Sequence, residues 1–156
     1  MLTEREFTSA AERYLDMVYR IALNWFRNVP DAEDAAQEVM LRLWRAETDF
    51  ADENHLRYWL TRVTLNVCKD LSRSPWHRHT VSLEAVQEPM FSDPAKGELF
   101  QEVMALPGKY RVPLYLYYYE GYSVAEVGEL LKLNPSTIQT RLARARAKLK
   151  TQLEEA

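Results

Sequence analysis

Apolar positions recur along this chain with the period of helices, not of strands. Between residues 4 and 27, Phe7, Ala11, Tyr14, Leu15, Val18, Ile21, Ala22 and Trp25 follow at three- and four-residue steps, as one helix face requires. Past Pro30, Asp31 has the chemistry of a helix cap, with Asp34 three residues on. Glu33 and Asp34 suit the positive end of a helix dipole, so a second helix is predicted to about residue 46. A third is predicted from about residue 54 to about residue 73, with Leu56, Leu60, Val63, Val67 and Leu71 on its buried face and no Gly or Pro inside it. Three such helices can enclose one small core.

The pattern then breaks. Over residues 74–97, Pro75, Pro89 and Pro94 interrupt a stretch of Ser, Thr, Glu and Asp in which no helical stripe persists. Helical spacing returns with Leu99, Val103 and Leu106 in a short helix ending before Pro107, followed by a helix over about 108–120 stopped by Gly121. Pro113 falls inside that helix, which predicts a kink or a later start. Ser123-Val124-Ala125-Glu126 reads as a capping box, with Tyr122 and Val127 as its hydrophobic staple. Asn134-Pro135 opens a last helix to about residue 150, buried along Ile138, Leu142, Ala145 and Leu149. Only Lys132, Leu133 and Asn134 separate these two helices. That short turn and the small Gly128 resemble a helix-turn-helix, with Lys132 where a left-handed residue is needed. The reading is all-α: two small helical domains, 1–80 and 98–156, joined by a flexible linker, 81–97, with the helix-turn-helix in the second. Seventeen extended residues would reach about 55 Å, roughly one and a half turns of duplex DNA.

Composition adds exclusions. In 156 residues the glycines are Gly97, Gly108, Gly121 and Gly128, so the first 96 lack the residue that hairpins and phosphate loops favour. The net charge of -3 excludes a uniformly basic nucleic-acid binder, yet from Lys132 to Lys150 there are six basic residues and no acidic one. The single Cys68 forms no internal disulfide, and neither a leader nor a membrane-spanning apolar run is visible, so a cytoplasmic protein that is not itself a membrane protein is expected.

Two surfaces carry candidate chemistry. On the third helix Tyr58, Arg62, Asn66, Lys69 and Arg73 are spaced four, four, three and four, opposite the buried face, with Trp59 beside them. Cations can track a phosphate backbone, an amide can read an unstacked base, and an aromatic ring can stack on it. On the last helix Ser136, Thr137, Gln139, Thr140, Arg141 and Arg144 lie off the buried stripe, close to the end that enters a major groove, and Lys148 extends the basic run. The plainer alternatives are solvated helix exteriors, with Trp59 in the core. Tyr115, Tyr117, Tyr118 and Tyr119 read as packing rather than as a base platform. Cys68 with His55, His77 or His79 completes no zinc spacing and no activated nucleophile, so no metal and no cofactor is expected.

The run Asp31-Ala32-Glu33-Asp34-Ala35-Ala36-Gln37-Glu38-Val39-Met40-Leu41-Arg42-Leu43-Trp44 resembles region 2.2 of the extracytoplasmic function (ECF, group IV) sigma factors of the sigma-70 family. Tyr58-Trp59-Leu60 through Asn66 and Asp70 resembles their regions 2.3 and 2.4, and residues 136–146 resemble the recognition helix of their region 4. The resemblance implies a dissociable, non-enzymatic subunit of bacterial RNA polymerase. Core polymerase would be met by Asp34, Gln37, Glu38 and Leu41. The -10 promoter element would be read by the Tyr58-to-Arg73 stripe, with the loop over 48–54 helping to hold a flipped base. The -35 element would be read by Arg141, Arg144 and their neighbours, and an anti-sigma factor could occlude the same surfaces. The competing reading is a free-standing helix-turn-helix regulator with an N-terminal sensing or dimerising domain, which leaves the stripe on the third helix without a role.

Overall fold

A computed structural model describes residues 1–73 and 100–155. The chain divides into two compact units, Met1–Thr80 and Val81–Ala156. The expected linker and the predicted start of the short helix at Leu99 lie outside the described residues, as do Trp76, His77 and Arg78, which would prolong the third-helix stripe.

The first unit contains α1 (Glu4–Phe26), α2 (Val29–Arg45) and α3 (Glu53–Ser72), each packed on the other two. Thr3 and Glu6 form a reciprocal capping box at the start of α1. At its other end Arg27 turns left-handed (φ 57°), and its amide donates to the Leu23 carbonyl at 2.8 Å. The next residue already caps α2. That cap is Asn28, not the expected Asp31: the Asn28 side chain accepts from the Asp31 amide at 3.1 Å. Helix α2 therefore starts before Pro30, because proline is tolerated in a first turn whose amides have no helical partner anyway. The core joins Val18, Ile21, Leu23, Val39, Leu43 and Leu60, all nearly inaccessible to solvent.

Helix α3 departs from the expected pattern in two ways. It begins at Glu53 with Asp52 as its cap, and its buried face includes Thr61, Thr64, Leu65 and Cys68, whereas Val63 and Leu71 are half-exposed. The threonine hydroxyls donate back to Arg57 O (3.0 Å) and Leu60 O (2.6 Å), so these side chains pack as methyl groups with their polar atoms satisfied. A stripe drawn through the aliphatic residues alone is therefore rotated from the face that is buried.

The second unit contains α4 (Phe100–Met104), α5 (Gly108–Tyr118), α6 (Val124–Leu131) and α7 (Pro135–Glu155), with α7 packed against the other three. Pro113 does not delay α5, which begins at Gly108 and continues through it. The amide that proline lacks would have bonded the carbonyl of Lys109, a solvent-exposed residue, so the loss falls at an open end of the helix. Arg111, an unexpected core residue, is buried and donates to Leu106 O at 2.6 Å, tying α5 to the chain before it.

Gly121 takes a positive φ of 81° after α5, and Ser123 and Glu126 form the expected capping box, at 3.1 and 2.9 Å. Lys132 is left-handed (φ 60°) at the end of α6, as the short turn demands. The chain then crosses so close to α6 that a methyl group on Gly128 would lie 2.6 Å from the Leu133 carbonyl oxygen. Helix propensity alone makes Gly128→Ala stabilising by about 1 kcal/mol. The backbone clash should reverse the sign, to a loss of about 1–3 kcal/mol in urea unfolding of the full chain. Lys132→Gly, which relieves a left-handed side chain, should instead gain up to about 1 kcal/mol.

Candidate nucleic-acid interface

Burial of Leu56, Leu60, Thr64, Val67 and Cys68 fixes the rotation of α3 and turns the opposite side to solvent. There Arg62 and Lys69 are exposed, Tyr58 and Asn66 half-buried, and Arg73, the C-cap, exposed with α-helical dihedrals. The five side chains run along about 22 Å of helix axis. Among the described residues no acidic group pairs with Arg62, Lys69 or Arg73, so their charge is available to an outside anion. Trp59 is half-buried, with its ring edge-on to Phe50 at 5.3 Å, so it closes the core and borders the stripe at once. Residues 46–52 form the loop before α3. Glu53 and Asn54, expected in that loop, belong to the first turn of the helix.

On α2, Asp34, Gln37 and Leu41 are exposed along one face, and Leu41 keeps 42% of its surface accessible. Glu38 is half-buried and paired with Arg42 at 3.2 Å, and Arg42 also lies 3.8 Å from Asp70 on α3. That acidic side chain is thus partly neutralised within the fold. Trp44, 40% accessible and edge-on to Phe7 at 5.1 Å, extends this face and was not anticipated as part of it. Its spacing of three from Leu41 is the signal that marks it.

On α7, Ile138, Leu142 and Ala145 are buried, leaving Ser136, Gln139, Thr140 and Arg144 exposed and Thr137 and Arg141 half-buried. Thr140 donates its hydroxyl to Ser136 O at 3.1 Å. Lys148 lies twelve residues beyond Ser136, about 18 Å along the axis, and one turn beyond Arg144, with its ammonium 5.5 Å from the Tyr110 ring centroid. Lys109 approaches the same ring at 5.1 Å. Burial pushes the Tyr110 phenol up, but Lys109 and Arg144 outweigh it and lower its pKa. Lys109, Tyr110, Arg144 and Lys148 therefore form a cationic cluster toward the far end of α7. Residues 109 and 148 are remote in sequence, and only the fold joins them. The tyrosines are less buried than expected. Tyr115 stacks on Tyr119 at 5.0 Å, while Tyr118 is exposed and accepts from Arg146 at 2.9 Å.

The sigma-70 region 2 family profile matches residues 10–78, and the sigma-70 region 4 profile matches residues 96–149. The ECF RNA polymerase sigma factor SigM of Mycobacterium tuberculosis is 31% identical over 147 residues, spanning 92% of this chain and 74% of that protein. The ECF sigma factor SigW of Bacillus subtilis is 26% identical over 167 residues, spanning 96% and 89%. The solved structure of the sigma factor RpoE in complex with the anti-sigma factor NepR from Bartonella quintana shares the fold. Its TM-score is 0.71 at 17% identity, over 96% of this chain and 98% of that one. Two regions in this order define a sigma-70-type transcription initiation factor. The chain belongs to the ECF sigma factors of that family. A free-standing regulator is not favoured, since residues 10–78 match region 2 and not a sensing domain.

No helix among the described residues is long and apolar enough to cross a membrane, and none of their His, Cys, Asp and Glu side chains gather in threes as metal ligands. His77 and His79 lie outside the described residues. Cys68 is buried, and burial pushes its thiol well above the ordinary range. A disulfide reagent at mildly alkaline pH should therefore leave native Cys68 untouched and label it only on unfolding. Rapid native labelling would show that α3 does not pack as described.

Proposed function

We propose that this chain directs core RNA polymerase to promoters by dividing recognition between its two units. The exposed face of α2, with Asp34, Gln37, Glu38 and Leu41, docks on core polymerase. The stripe Tyr58, Trp59, Arg62, Asn66, Lys69 and Arg73 takes the -10 element as unpaired strand. Ser136, Thr137, Gln139, Thr140, Arg141 and Arg144 read the -35 element, and Lys148 meets backbone phosphate. The observation that carries this reading is the α3 face itself, where cations without an acidic partner among the described residues flank an amide and two aromatic rings, the combination that binds extruded bases.

The mechanism needs no hydrolysis and no catalytic group from this chain. Capture of an unstacked base offsets an opening cost of a few kcal/mol and shifts the duplex toward the open state. Because the whole chain is net acidic, it binds free promoter DNA weakly, and docking on polymerase raises the effective concentration of both faces. RpoE in the similar structure is held by an anti-sigma factor, which supports a partner of that kind here, competing for the exposed faces of α2 and α3. The region 2 and region 4 matches support the assignment of roles to residues 1–80 and 98–156, with 81–97 as tether.

Run-off transcription with core polymerase and the purified chain tests the reading: specific transcripts should depend on both. Arg144→Ala should cost about 1–3 kcal/mol of promoter discrimination and relax preference at one -35 position. Lys148→Ala should weaken all promoters alike and reduce the salt slope by about 1. Promoter binding by the free chain that is tight and salt-resistant would contradict the proposal.

A further inference from the structure

The loop over residues 46–52 is pinned at its α3 end by one imidazole. Asp52 caps α3 by accepting from the His55 amide at 2.8 Å, and His55 Nδ1 accepts in return from the Ala51 amide at 3.0 Å. This is the reciprocity of a capping box, whose third helical residue is ordinarily Glu or Gln. Here histidine takes that place and reaches one residue further back. Phe50, next to Ala51, packs edge-on against both His55 and Trp59, each at 5.3 Å. The bond to His55 thus also orients the ring that borders the α3 stripe.

Accepting at Nδ1 requires a lone pair there, so the imidazole is neutral and carries its proton on Nε2. The nearby carboxylates are engaged elsewhere: Asp52 accepts from the His55 amide, Glu53 is held by Arg13 and Tyr14 of α1, and Asp49 lies 3.7 Å from the Met1 amino group.

We propose that His55 is the positioning residue of this loop: its imidazole holds Ala51 and Phe50 where the loop can close on an unpaired promoter base. The inference rests on the reading of α3 as the -10 surface.

The test uses holoenzyme and a single-stranded oligonucleotide carrying the -10 element, with affinity followed by fluorescence anisotropy at mildly alkaline pH. Loss of one capping bond should read as about fivefold, so His55→Ala should bind about fivefold more weakly than the parent. His55→Asn, whose Oδ1 can accept the same bond, should stay within about twofold of the parent. Equal affinity for all three chains would overturn the proposal. Nitrogen NMR of the free full-length chain decides the bond separately: a ring proton on Nε2, with the Ala51 amide displaced in His55→Ala, is expected, and a proton on Nδ1 overturns it. Parent holoenzyme that ignores the -10 strand would overturn the -10 reading, while the NMR result would still show whether His55 holds the loop.

Discussion

Burial fixes the rotation of each helix that bears functional groups, and everything exposed follows from that rotation. In α7, Ile138, Leu142 and Ala145 are almost fully removed from water, so Ser136, Gln139, Thr140 and Arg144 have nowhere to point but outward. Rolling the helix by one residue, about 100°, would expose that apolar stripe at about 1.5–3 kcal/mol per large side chain. The same constraint acts in α3, where buried Leu60, Thr64 and Cys68 set Arg62, Asn66 and Lys69 on the far side. At the turn between α6 and α7 the constraint becomes steric, because only a glycine at 128 lets the chain pass.

Much of this was legible from residue order because amphipathic period and capping chemistry are local. The capping box at Ser123 and Glu126, the left-handed Lys132 and the buried stripe of α7 each need only a few neighbouring residues to be inferred. What escaped depends on partners far along the chain or on competition between adjacent candidates. Asn28 and Asp31 are both good caps, and the left-handed Arg27 that ends α1 favours the earlier one. Thr61 and Thr64 look polar until their hydroxyls are seen to bond their own helix. Arg111 is drawn inside by a carbonyl five residues earlier, and Lys148 meets Tyr110 only because α5 lies against α7.

The candidate site follows the same division. Which residues line the α3 stripe was readable from spacing, but the device that shapes its edge was not. Recognising Asp52 and His55 as a reciprocal pair required knowing that α3 starts at Glu53 and not a residue later. The α2 face likewise gains Trp44, whose packing against Phe7 is a contact between helices. In energetic terms the proposed activity is an exchange. Stacking within the duplex is given up for stacking and hydrogen bonds on α3, while cations on both units neutralise phosphate and release counterions. No covalent chemistry enters, so the balance depends on how well the protein surface replaces what the base loses.

Probing thymines with permanganate on promoter DNA bound by holoenzyme measures that exchange most directly. The account predicts reactive, unpaired thymines in the -10 element without nucleotide hydrolysis, and markedly fewer of them when Asn66 and Arg62 are replaced by alanine. Protected thymines throughout the -10 element in a fully assembled, transcribing complex would contradict it.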